Sequence, residues 1–167
     1  ENRRPELHRL LRQGPFSPAR NFHEALQSLW FIFAFVRLCG NWPGIGRLDW
    51  LLGDFLEKDL LNGLLTENEA RELLASFFIK GCEWIRSDPP VGTGDAQHYQ
   101  NIVLAGINAD GNEITNQGTF LVLDIVEELA ISDFPITVRL NKNTSYALKE
   151  KTAQVMRHGG GIVAIYN

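Results

Sequence analysis

The chain has 167 residues, 44% of them hydrophobic and 10% aromatic, and its 16 Lys and Arg against 20 Asp and Glu leave a net charge of −4. Apolar and aromatic content this high excludes a disordered chain, which cannot bury enough surface to offset its ordering entropy. A mildly acidic balance with no Lys/Arg block offers no counterion-release surface, which argues against nucleic acid or an anionic membrane as partner.

In chain order, the start, Glu1 to Pro5, lacks a signal pattern, and Ala164 to Asn167 stops just after an apolar run, so both ends read as cut from a longer chain. Ser17 before Pro18 is an expected N-cap with proline at the first helical position, and Phe22, Ala25, Leu26, Leu29, Trp30 and Phe33 recur at helical spacing to about Leu38. The apolar stretch from Leu26 to Cys39 contains Gln27, Ser28 and Arg37 and is shorter than the roughly 20 residues a bilayer span needs, so it predicts a core helix. A second helix is expected over Leu48 to Leu61, with Trp50, Leu51, Phe55 and Leu60 as core positions and Gly63 ending it. Thr66 and Glu69 form a capping box for a third helix to about Ile85, with Ala70, Leu73, Leu74, Phe77, Trp84 and Ile85 apolar. Ser87-Asp-Pro-Pro90 breaks it, and Val91 to Gln100 reads as loop.

The texture then changes. Ile102 to Ile107 is strand-like, Asn108 to Asn112 is turn chemistry, and Phe120 to Leu129 has helical spacing. Ile136 to Leu140 is strand-like again, Thr144 or Ser145 caps a helix to about Met156, and Ile162 to Ile165 is a third apolar run. Strand, helix, strand, helix, strand predicts parallel strands with right-handed crossovers.

Few residue groups carry chemistry. Cys39 and Cys82 have no CxxC or Cys/His spacing, so neither a disulfide framework nor a structural zinc is encoded, which fits a reducing cytoplasm. Cys82 falls inside a helix beside Glu83, where a thiolate is disfavoured, and reads as structural. His8, His23, His98 and His158 show no metal-ligand pairing. His158-Gly-Gly-Gly161 follows a helix and reads as its C-cap rather than an oxyanion hole. His98 sits in a polar loop just before a strand, either a ligand-binding position or a solvated one. Gly40 to Arg47 is a Gly-rich exposed loop without the Lys-Ser/Thr of a phosphate loop, and it offers Trp42 and Arg47. Arg139 lies within a strand, where it either pairs with a carboxylate or binds an anion.

Seven segments in order resemble the glycyl radical enzymes, the pyruvate formate-lyase-like family. Phe22 to Trp30 is similar to its F-x-E-A-L-Q-x-x-W helix, Gly46-Arg-Leu-Asp49 to its G-R-x-D element, and Gln100 to Gly106 with Asp110 to Asn116 to its Q-N-I-x-L-G-G and D-G-x-D-x-T-N segments. Pro135 to Arg139, Asn143-Thr144 and the ending Gly159 to Asn167 continue the match. The resemblance implies an α/β fold, part of a ten-stranded barrel, with residues 1–167 belonging to one domain: 1–90 mainly helical, 91–100 loop, 101–167 βαβαβ.

It also implies a formate acetyltransferase-like or lyase parent that abstracts hydrogen from a small substrate through a thiyl radical. The parent would be oxygen-sensitive, anaerobic, cytoplasmic and homodimeric. Its glycyl radical would be installed by an S-adenosylmethionine iron-sulfur activase, with no cofactor bound by this chain. The family's cysteine comes shortly after the segment resembling Ala164 to Asn167 and its radical glycine near the far C-terminus, so this chain alone is expected to be inactive. Expected substrate-binding positions are Asn41, Trp42, Arg47, His98 and Arg139; Asn41 and Trp42 stand where the diol-dehydratase branch has His-Ser, which argues against diol dehydration. Gln117-Gly118 replaces the family's Glu-Leu and predicts a looser helix start. Two other readings compete: a non-catalytic α/β module that binds a ligand or partner through residues 41–47, and a relative of the anaerobic ribonucleotide reductases, for which no nucleotide-binding element is found.

Overall fold

The computed structural model describes residues 12, 16–39, 44–82, 101–131 and 134–167. Asn41, Trp42, His98, Trp84, Ile85 and the 91–100 loop lie outside them. Helix α1 spans Phe22–Leu38, not the stretch from Pro18. Its N-cap is Asn21, whose Oδ1 accepts the Glu24 amide at 2.9 Å. Asp59, from the next helix, accepts the Phe22 amide at 2.7 Å. Side chains both local and distant thus satisfy the helix's first orphan donors, so the turn at Ser17 and Pro18 has no helix to cap.

Strand β1, Gly46–Arg47, leads directly into α2, Leu48–Leu61. The expected bounds of α2 hold, but its buried face is Leu48, Leu52 and Leu56, while Trp50 and Leu51 are 48% and 47% exposed. The correction is one of phase: the i, i+4 row from Leu48 packs inward, and Trp50 and Leu51 fall on its flank. Helix α3, Glu67–Cys82, begins with the expected capping box. Glu69 Oε2 accepts the Thr66 amide at 2.8 Å, and Thr66 Oγ1 accepts the Glu69 amide at 3.2 Å.

The second half alternates as expected through β2 (Ile102–Ala105), α4 (Gln117–Leu129), β3 (Ile136–Arg139), α5 (Tyr146–Met156) and β4 (Val163–Tyr166). The four strands pair in parallel in the order β1-β2-β3-β4. Strand β1 replaces the end of the loop expected over Gly40 to Arg47: its two residues carry no apolar run, and only pairing with Ile102 and Val103 makes them a strand. Ser145 caps α5, accepting the Leu148 amide at 3.3 Å. At the start of α4, Asn116 and Thr119 cap the helix reciprocally around Gly118.

Consecutive parallel strands joined by right-handed crossovers place their helices on one face of the sheet. Ile102, Leu104, Ile136 and Val138 are buried on that side. Trp30, Phe33, Phe77, Phe78 and Phe134 tie α1 and α3 to the approach of β3, with Phe78 and Phe134 edge to face at 5.3 Å. No helix among the described residues is long and apolar enough to cross a membrane.

Candidate functional site at the strand ends

In parallel α/β sheets, ligands gather where the strands end at their carboxyl termini. β1 ends at Arg47, β2 at Ala105, β3 at Arg139 and β4 at Tyr166. Register places Arg47 beside Val103, Ala105 beside Arg139, and Arg139 beside Tyr166. Two of the five expected binding residues therefore flank the end of the same central strand.

Both arginines reach the Ala105–Gly106 corner. Arg47 Nη2 donates to the Ala105 carbonyl at 3.0 Å, and the Arg47 guanidinium lies 5.5 Å from the centre of the Trp50 ring. That stacking accounts for an exposed tryptophan on α2. Arg47 Nε is shielded from solvent and has no hydrogen-bond partner among the described residues. On the other side, a Cβ built at Gly106 would stand 2.9 Å from Arg139 Cβ and 3.4 Å from Arg139 Nε, so the Arg139 side chain lies across this glycine. Gly106 has φ +88° and Ala105, unusually for a residue with a Cβ, φ +58°. A left-handed alanine costs about 1 kcal/mol, so the surroundings must hold it there.

Asp49 does so. Asp49 as a whole residue is 2% exposed. Oδ2 accepts the Ala105 amide at 2.6 Å and the Thr119 hydroxyl at 2.7 Å, and Oδ1 accepts the Trp50 amide at 2.9 Å. Burial pushes the Asp49 carboxyl above its ordinary pKa, against the opposing pull of the Ala105, Thr119 and Trp50 donors and the Arg47 charge. Asn116 Nδ2 donates to the Asp49 carbonyl at 2.9 Å, which requires a glycine at 53, since a Cβ there would overlap that nitrogen. Asn101 closes the opposite end of β2: its carbonyl accepts the Ile45 and Gly46 amides at 3.1 and 3.3 Å, and its side chain accepts the Thr137 hydroxyl at 3.0 Å.

Asp49, Asn101, Asn116 and Thr119 were not singled out from the sequence. Asp49, Asn101 and Asn116 lie in the segments that carry the family resemblance, and that was the available signal. Arg47 is not a loop residue but the end of β1, because Gly46 and Arg47 pair with Ile102 and Val103. Arg139 is exposed and forms no ion pair among the described residues. Cys39 is exposed at the end of α1 and Cys82 half-buried at the end of α3, so neither brings a thiol to the strand ends. A cleft of about 310 Å³ between α1 and α3, lined by His23, Leu26, Trp30, Leu73 and Phe77, contains none of the arginine-site residues.

A family model described as pyruvate formate lyase-like matches residues 5–167. The chain is 30% identical over 166 residues to the trans-4-hydroxy-L-proline dehydratase of Clostridioides difficile, covering 92% of this chain and 20% of that protein. It is 28% identical over 160 residues to the isethionate sulfite-lyase of Nitratidesulfovibrio vulgaris, covering 92% of this chain and 19% of that one. A structure describing 1,2-propanediol dehydration in Roseburia inulinivorans superposes with a TM-score of 0.86 at 28% identity, over 97% of this chain and 21% of that chain. The chain thus spans about a fifth of the length of the curated relatives it matches.

Proposed function

The chain belongs to the pyruvate formate lyase-like family, and from that premise we propose that it forms the substrate-binding side of a glycyl radical lyase acting on a small molecule with a carboxylate or sulfonate group. The observation that carries this reading is the convergence of Arg47 and Arg139 on one corner at the strand ends. A guanidinium recognises planar or tetrahedral oxyanions through paired donors. Arg47 Nε has a donor still unspent, and Arg139 has no carboxylate to neutralise it among the described residues. Two of the relatives' names, trans-4-hydroxy-L-proline dehydratase and isethionate sulfite-lyase, specify substrates with such groups.

In the parent protein, the family's cysteine and glycyl radical would supply hydrogen abstraction. This chain's part is to hold the anionic end of the substrate against β1 and β3 and so fix which carbon faces the reacting centre. Asn41, Trp42 and His98 stay candidates for the remaining wall, and an activase and a second subunit are the expected partners. The competing module reading rests on residues 41–47, of which 41–43 lie outside the described residues.

Calorimetric titration of the full-length, unactivated protein with trans-4-hydroxy-L-proline, isethionate and 1,2-propanediol tests the reading. One of the two anions is expected to bind in preference to the diol. Arg47→Met and Arg139→Met should each weaken that anion by about tenfold or more, the scale of one charge-assisted hydrogen bond. Preference for the diol, binding of neither anion, or indifference to both substitutions overturns it.

A further inference from the structure

We infer that Asp49 is a positioning residue for the arginine pair, acting through the backbone of Ala105. The inference rests on the reading of Arg47 and Arg139 as the anion site and adds what sets their placement. Ala105 and Gly106 are consecutive residues with positive φ, at +58° and +88°, and only the second is a glycine. The chain therefore turns at β2's end by way of a conformation that alanine disfavours.

Two groups from the G-R-x-D element hold the two sides of that residue. Asp49 Oδ2 takes its amide at 2.6 Å, and Arg47 Nη2 takes its carbonyl at 3.0 Å. The carboxylate is itself fixed by the Thr119 hydroxyl, which also accepts the Asn116 amide at 3.1 Å, so α2, α4 and β2 meet on one oxygen. Without Asp49, the Ala105 amide is buried and unpaired, and the corner relaxes toward the extended region. The carbonyl then swings away from Arg47, and the Gly106 backbone leaves the surface on which Arg139 lies. Asp49 thus sets both guanidinium groups without itself touching ligand.

The test is a suppressor experiment on the full-length, unactivated protein, with trans-4-hydroxy-L-proline and isethionate as probes. Asp49→Asn is expected to weaken the anion that binds by fivefold or more. Adding Ala105→Gly to that variant should recover at least threefold, because a glycine adopts the left-handed corner without help. Thr119→Val should weaken the anion in the same direction, and Thr119→Ser should not. Hydrogen exchange across residues 102–107 provides a readout without ligand: it should accelerate in Asp49→Asn, which leaves one oxygen for the three donors that two oxygens held, and stay fast in the double variant. Were the Asp49→Asn variant to misfold, Thr119→Val, which keeps the carboxylate, carries the test. Wild-type affinity in Asp49→Asn or in Thr119→Val, or no recovery with Ala105→Gly, overturns the positioning role while Arg47→Met and Arg139→Met still weaken binding. If those arginine variants bind as wild type, the anion-site reading fails instead, and unchanged exchange at 102–107 in Asp49→Asn would refute the clamp independently.

Discussion

Asp49 holds its place through three donors, yet its net pKa displacement is upward, because burial outweighs them. The consequence for stability has a definite sign. The folded protein keeps the Asp49 proton to a higher pH than the unfolded chain, which releases it near the ordinary value of about 4. Between that value and the raised one, the unfolded state binds fewer protons, so stability falls as pH rises and is flat above. Thermal midpoints of the full-length protein from pH 4 upward should show this decline, and the difference between wild type and Asp49→Asn should isolate it. A difference that grows in the opposite direction would mean that the hydrogen bonds prevail over desolvation. At the same scale, Gly106 and Gly53 are glycines for a spatial reason: one lies under Arg139, the other faces the Asn116 amide.

Each helix start is held by a different mixture of local and distant groups, and that decides what a substitution costs. The Thr66 and Glu69 box at α3 is exposed and wholly local, so Thr66→Ala should cost about 1 kcal/mol, the usual worth of a cap. Asn116 caps α4 and also donates to the Asp49 carbonyl on α2, so Asn116→Ala should cost about 2 kcal/mol or more. Denaturant midpoints for the two variants, read against each other, check the ordering; equal losses would show that the bond to Asp49 adds nothing. The Thr66 box could be read from spacing because both partners lie within one turn. The α1 start could not, since Asp59, 37 residues away, receives its first amide. The face of α2 was misread for a related reason: Trp50 and Leu51 look like core until Arg47 is seen stacked on the tryptophan and Leu48, Leu52 and Leu56 take the interior.

At the scale of the molecule, four parallel strands leave two sheet edges, with β1 and β4 paired on one side only among the described residues. Ile165 and Tyr166 on β4 are 44% and 63% exposed. Unpaired strand edges with apolar side chains template association with other chains. Residues 1–167 expressed alone should therefore sediment as multimers, and a monodisperse monomer at tens of micromolar would contradict this. The order of strands and helices was legible in the residues, because apolar periodicity and turn chemistry are local and each element carries its own. Membership of the family was legible too, in short segments that keep their order along the chain. The two-residue strand β1, the left-handed Ala105 and the role of Asp49 were not, because each depends on contacts 56 or more residues apart in sequence. A buried carboxylate and a strained alanine look ordinary one at a time, and they acquire meaning only when folding places one against the amide of the other.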